Sequence, residues 1–277
     1  MKRLWLGIKR HPKRFFLGIA SGYGILWSIC EPLFAILELK TTGYTLVTLL
    51  GYLLASVIIA CFFVYPRDSI SIKLKNTNTK VEILFGDLFE QEGHKAIAVT
   101  EFFDSAIGKP VAPTSVHGQF LTKVLGGHTD VFDGAVVNQL TSRQIDTVTR
   151  TDGKDARYGI GSTVVVAHNN NLYFMFALAT TDHDCKAQST PAMMLLSLEG
   201  LWAKVRSEGN GRPLNLPLIG SGLSGIRLPP AQLLELILIS LLEFTKASEI
   251  GSLVRIVLPK TVFEEIDLQT IQLMWNS

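Results

Sequence analysis

Charge is scarce in this chain. Asp, Glu, Lys and Arg make up 18% of its 277 residues while 47% are hydrophobic; an average globular chain carries about 25% charged residues. Disorder needs low hydrophobicity and high net charge, and the formal charge here is only +2. Cysteine is nearly absent. Cys30, Cys61 and Cys185 form no C-x-x-C pair, which excludes a disulfide scaffold and a paired zinc or redox motif, and an odd, sparse set suits a reducing compartment. The 23 Gly and 11 Pro follow no period, so neither a collagen nor a low-complexity chain fits. The six histidines, His11, His94, His117, His128, His168 and His183, lack metal-ligand spacing. No Ser/His/Asp or Cys/His arrangement is readable. Asp182-His183-Asp184 reads as a solvated loop, because three adjacent residues cannot all face one site. The length allows one or two domains.

Acid is missing from residues 1–14, which hold Lys2, Arg3, Lys9, Arg10, Lys13 and Arg14. The rest of the chain has 20 basic and 24 acidic residues, so no nucleic-acid footprint is expected. Two long apolar runs come next. Residues 15–37 contain one charge, Glu31, and residues 44–65 contain none. At about 1.5 Å per residue the first extends about 34 Å, enough for a hydrocarbon core of about 30 Å. It is too long for a cleaved signal peptide, and Trp27, Glu31 and Pro32 interrupt any small-residue cleavage site. The expectation is therefore a transmembrane helical hairpin over residues 15–66, with its loop at 39–43. Lys and Arg are dense before the first run, sparse in the loop (Lys40) and present again after the second (Arg67, Lys73, Lys75). The positive-inside rule then predicts a multi-pass inner-membrane protein with both termini cytoplasmic.

Tyr44 and Tyr65 suit interfacial anchoring, whereas Trp27 falls mid-span. Glu31 costs about 2.5 kcal/mol or more in hydrocarbon unless it is protonated or faces protein or water. It either lies near the outer interface of a tilted helix or forms a helix contact or pore lining when several copies assemble. Gly18 and Gly22 form a small-xxx-small pair that permits close helix approach.

Residues 67–79 read as a polar linker, or as an entry strand to the next domain. From residue 80 the pattern is α/β. Short apolar runs at 81–85, 95–100, 213–219 and 252–259 read as strands, and 162–180 as a β-hairpin around an Asn-rich turn. Helices are expected at 115–127, from Thr190-Pro191 to about 205, at 229–245, and from about 262 to 275. Alternation over about 200 residues predicts a mixed sheet covered on both faces, with ligands bound beyond the strand C-terminal ends.

Two segments carry chemistry. Gly220, Ser221, Gly222, Leu223, Ser224, Gly225 and Ile226 follow an apolar strand and precede a helix. Glycines let backbone N–H groups crowd an anion, and the helix N-terminus adds partial positive charge; a plain flexible turn has the same composition. Gly86-Asp87-Leu88 closes the first strand. Its Asp can cap the next turn or accept a hydrogen bond from a base amino group.

Together these segments resemble a macrodomain, the fold that binds ADP-ribose and its relatives. With the two leading runs, the whole chain is similar to the membrane-anchored macrodomain effectors of Thoeris antiphage defence systems. The resemblance implies two transmembrane α-helices followed by a three-layer α/β macrodomain over residues 80–277. It implies an effector without a cofactor whose signalling ligand is an ADP-ribose derivative, histidine-ADP-ribose made by a TIR-domain partner. Binding would drive homo-oligomerisation and disruption of the lipid bilayer, leading to abortive infection.

By the same resemblance Asp87 contacts adenine and residues 220–226 the diphosphate. Ser115, Val116, His117 and Gly118 open the helix in place of the first phosphate loop, with His117 near a phosphate. Thr180 and Thr181 face the ribose. Hydrolytic macrodomains carry Asn-Ala-Ala-Asn and then a triple glycine. Here Val99-Thr100-Glu101-Phe102-Phe103-Asp104 stands instead, and no triple glycine precedes Ser115. That favours a sensor over the alternative, a membrane-tethered ADP-ribosyl hydrolase. Glu101 and Asp104 are left to meet a polar ligand group such as an amine or imidazole, or to act as caps or a surface pair.

Overall fold

The computed structural model describes residues 1–37, 45–74 and 77–276, with no side-chain detail at Thr45 and Asn276. The expected loop at 39–43 lies outside the described residues. The chain divides into two units, Met1–Arg67 and Asp68–Ser277.

The first unit is helical. Helix α1 spans Lys2–Arg10, α2 Pro12–Ile36 and α3 Thr45–Val64. Both α2 and α3 are long and apolar enough to cross a membrane. They pack antiparallel through small residues: a Cβ on Gly18 would stand 3.2 Å from the Ala60 Cβ, and one on Gly22 3.4 Å from Ser56. The predicted Gly18/Gly22 face thus meets a matching Ser56/Ala60 face within the same chain. Trp27 is used in this contact, its ring 6.2 Å from Tyr52 and 6.3 Å from Tyr23. Away from the seam, Phe16, Leu17, Leu46, Leu54, Phe62 and Phe63 are exposed. Glu31 sits one and a half turns before the end of α2, with Pro32 following it inside the helix.

The second unit is a three-layer α/β fold. Its strands are β1 (Ser69–Lys73), β2 (Lys80–Phe85), β3 (His94–Thr100), β4 (Gln144–Thr147), β5 (Ala156–Tyr158), β6 (Thr163–His168), β7 (Asn171–Thr181), β8 (Ala187–Gln188), β9 (Leu214–Pro217) and β10 (Leu253–Leu258). The main sheet runs β1-β2-β10-β9-β3-β7-β6, with β8 pairing β7, while β4 and β5 form a separate ribbon. Pairing is parallel from β2 through β10, β9 and β3 to β7, and antiparallel at β1 and β6. The sheet is mixed, as the alternation predicts.

Along β7, Phe174, Phe176 and Leu178 face one apolar layer, and Tyr173, Met175 and Ala177 the other. The first layer is closed by α6 (Pro191–Glu208), α7 (Pro230–Thr245) and α8 (Leu268–Asn276). The second is closed by α4 (Val116–Gln119), which continues into a wider i→i+5 turn at Phe120–Val124, and by α5 (Asp130–Leu140). Parallel strands buried on both faces explain why those segments read as continuous apolar runs.

Of the two readings of residues 67–79, the entry strand is the one observed: residues 69–73 pair residue for residue with 80–84 as the edge strand, so the second unit begins at Asp68, which corrects the expected linker and domain start at Lys80. A second expectation is also corrected. The last helix starts at Leu268, not near Val262. The reason is local: Asp267 Oδ1 accepts the Gln269 N–H at 3.1 Å and Oδ2 the Thr270 hydroxyl at 2.8 Å, which is a helix cap.

Candidate functional site

The parallel strands all end on one side, and a cleft of about 850 Å³ opens there, within the range of small-molecule sites. Its lining comes from five loops. Gly86–Glu90 follow β2; Lys109–Ala112, Thr114 and Ser115 lie between β3 and α4, whose first residues Val116 and His117 join them; Cys185, Lys186 and Ala187 follow β7; residues 218–224 follow β9; and Pro259 and Lys260 follow β10. A smaller hollow of about 370 Å³ lies by the β6–β7 turn, around His94 and Arg212.

Each loop has a local cause. Asp87 Oδ1 accepts the Phe89 N–H at 2.8 Å, so Gly86-Asp87 forms an Asx turn and the carboxylate stays exposed at the rim. The Ser115 hydroxyl accepts the Gly118 N–H at 2.9 Å and caps α4. The Val116 and His117 N–H groups, in the first turn, have no intrahelical acceptor. In the glycine loop, Gly220 takes φ +85° and Gly225 φ +70°. The Ser221 hydroxyl donates to the Leu218 carbonyl at 2.8 Å, which tightens the turn.

His117 is buried at the cleft wall, edge-on to Phe132 at 5.4 Å, and its Nε2 has no hydrogen-bond partner among the described residues. Desolvation first, then the Lys154 cation, pushes its pKa down to about 3, so the imidazole is neutral at physiological pH. The lining sets Lys109, Lys186 and Lys260 against Asp87 and Glu90. Lys109 is itself paired with Asp152 at 3.1 Å, which leaves Lys186 and Lys260 balancing Asp87 and Glu90, so the first-turn N–H groups of α4 are what the cleft offers an anionic ligand with an apolar portion.

The family model for the macro domain of Thoeris protein ThsA matches residues 81–259. The chain belongs to the ThsA macrodomain family. It is 25% identical over 178 residues to Thoeris protein ThsA of Bacillus amyloliquefaciens (strain Y2), an overlap of 62% of this chain and 58% of that protein. The chain thus spans less than two thirds of the length of the curated relative it matches. Among solved structures, the Oceanobacillus iheyensis macrodomain with ADP superposes at a TM-score of 0.52, with 13% identity, over 74% of this chain and 96% of that one. The same macrodomain with MES bound gives 0.53 at 12% identity, over 74% and 96%. At such identities these likenesses show the macrodomain fold.

Within this ThsA-type macrodomain, the cleft gathers Gly86, Asp87, Leu88, Ser115, Val116, His117, Gly220, Ser221, Gly222, Leu223 and Ser224. Seven expected site residues are not part of its lining. Gly118 is buried, because a Cβ there would collide with the Ala112 carbonyl oxygen. Ile226 is a core residue packed beneath Gly220, and Gly225 is the turn that sends it there. Thr180 and Thr181 are covered by β8, which pairs with both, so Leu178 and Ala179 reach the cleft instead.

Glu101 and Asp104 turn away into the protein. Phe103 adopts φ +48°, reversing the chain after β3. Asp104 then meets Arg150 Nη1 at 3.1 Å and the Lys154 N–H at 2.7 Å, with both charged side chains at most 2% exposed. Glu101 is buried, and that desolvation raises its pKa, against the lowering effects of the Thr181 N–H and Arg157. Sequence reasoning missed Lys109, Lys186 and Lys260. Their signal was position, since each lies in a loop that follows a sheet strand at its C-terminal end.

Proposed function

We propose that this chain is a membrane-anchored antiphage-defence effector whose macrodomain binds an ADP-ribose-derived signal. The observation that carries it is convergence: the Gly86-Asp87 turn, the Ser115-capped helix and the loop at 220–224 bound one cleft at the strand ends. The ADP in the Oceanobacillus iheyensis macrodomain supports a nucleoside diphosphate as its occupant. The ThsA relationship supports a signal supplied by a TIR-domain partner, with histidine-ADP-ribose as the compound expected from the resemblance.

Binding without hydrolysis is the favoured reading. Glu101 and Asp104 stand where the hydrolytic segment is expected, and their carboxylates are committed to internal partners rather than to a water in the cleft. The helices α2 and α3 span the inner membrane in this reading. An antiparallel pair returns the chain to the side it left, so the basic N-terminus and the macrodomain share the cytoplasm. Two spans cannot enclose an aqueous path, so membrane damage requires several copies. A ligand shifts such an assembly only by its differential affinity for the two states.

The test is calorimetry of the full chain in detergent against ADP-ribose, NAD and histidine-ADP-ribose, with product analysis of each mixture. Tight binding of the conjugate without turnover is expected. Turnover would establish the hydrolase alternative, and absence of binding by all three would overturn the site. Cross-linking in membranes with and without the conjugate tests assembly; an unchanged oligomer distribution at saturation refutes that step.

A further inference from the structure

Helix α1 carries Lys2, Arg3, Lys9 and Arg10 among nine residues, and no acid. At 100° per residue the four cations fall within one arc of about 120°, shared with Leu6, while Leu4, Trp5, Gly7 and Ile8 take the rest of the circumference. Trp5 is 64% exposed although it lies on the apolar side. Lys9 Nζ sits 5.3 Å from the centre of its ring.

The position of α1 is set by Gly7, which is buried against the end of α3. A Cβ there would collide with the Val64 carbonyl oxygen and stand 3.1 Å from Pro66 Cδ. Val64 is the last residue of α3, so α1 lies level with the end of the hairpin at which α2 begins. His11 (φ −127°, ψ 54°) and Pro12 at the first helical position of α2 break the helix, so α1 does not continue the axis of α2.

With α2 and α3 taken as spanning, the reading on which this inference rests, we propose that α1 is an interfacial helix that binds acidic phospholipids of the leaflet next to the N-terminus. Trp5, Leu4 and Ile8 enter the headgroup–acyl boundary, and Lys2 and Lys9 meet the headgroup phosphates. Charge complementarity names the occupant. Residues 1–14 hold six cations and no acid, which a zwitterionic headgroup with no net charge does not match. Each Lys near such a surface strengthens the attraction roughly fivefold.

The test uses the full chain reconstituted in phosphatidylcholine vesicles with and without phosphatidylglycerol. Electron spin resonance of spin-labelled lipids reads the preference of the protein-bound shell for each headgroup. The wild type should prefer phosphatidylglycerol, and Lys2→Gln with Lys9→Gln should lower that preference at least about fivefold. Lys204→Gln, on α6, should leave it unchanged. Equal association of both lipids with the wild type, or an unaltered preference in the double variant, overturns the proposal. So does displacement of the labelled lipid by excess inorganic phosphate, which would make the site one for free anions. A carbonate wash separates the two layers of inference. Retention without preference overturns the role of α1 alone, while stripping of the chain overturns the spanning reading and this proposal with it.

Discussion

Gly220 and Gly222 sit two residues apart in one loop and should fail in different ways. At Gly220, φ is +85° and a Cβ would stand 3.0 Å from both Ile226 Cδ1 and Leu233 Cδ2. Gly220→Ala forces a left-handed backbone on an L-residue, about 1–2 kcal/mol, and presses on two core side chains, about 1 kcal/mol more. For a unit the size of Asp68–Ser277, each kcal/mol moves Tm by about 2–4 °C, so a fall of roughly 4–12 °C is expected.

At Gly222 a Cβ meets nothing within 4 Å among the described residues and the backbone is not left-handed. Gly222→Glu should leave Tm within about 2 °C. Its carboxylate would share the cleft with the ligand. At about 7 Å and an effective dielectric constant of about 20, each phosphate charge opposes it by about 2.4 kcal/mol, roughly 50-fold in affinity, and two such charges make the loss on the order of 10³-fold. Differential scanning fluorimetry and calorimetric titration of the full chain in detergent read the two effects separately. If Gly222→Glu binds ADP-ribose derivatives normally at unchanged Tm, the loop is no anion cradle. An unshifted Tm for Gly220→Ala would show that Ile226 is not seated as described.

Three further outcomes are expected. Asp87→Asn keeps the Oδ1 that caps the Phe89 N–H but removes the charge, so it should weaken binding by about 1.5–3 kcal/mol with little change in Tm; a fall in Tm at unchanged affinity would instead mark a purely structural turn. The unfolded chain protonates His117 below about pH 6.5, whereas burial holds the folded group neutral down to about 3. Its contribution is therefore complete above pH 6.5 and is lost as pH falls toward 3, by up to about 2 kcal/mol at pH 5. His117→Phe should flatten thermal stability between pH 5 and 7, and an unchanged pH profile would refute the burial argument. Arg150→Met strands the buried Asp104 carboxylate and should cost about 3–5 kcal/mol of folding stability. Ligand affinity measured on the folded fraction should not move, and a selective loss of affinity would return Asp104 to the site.

Period and local turn chemistry made most of the elements legible. The uncharged run at 44–65 could only be a buried or membrane helix, and the alternation of short apolar runs with longer amphipathic ones specified a layered α/β fold. Gly86-Asp87 and the loop at 220–224 were readable as turns because glycine and Asx residues encode backbone conformation locally. Ser115 and Thr190 were readable as caps for the same reason, and both hydroxyls do accept the N–H three residues on.

Side-chain direction was decided by the tertiary structure. Glu101 and Asp104 follow a strand end, where sequence alone places them beside the ligand. Only the left-handed turn at Phe103 and the distant Arg150 and Lys154 draw Asp104 inward. Thr180 and Thr181 were lost from the cleft to β8, a two-residue strand too short to leave a periodic signal. Lys109, Lys186 and Lys260 come from three separate loops, and nothing local says that they share a rim. Gly7 looks like any glycine until α1 is seen against Val64. Local backbone preference is written in neighbouring residues, but which side chains meet depends on contacts between segments far apart in the chain, and those exist only once the sheet has formed.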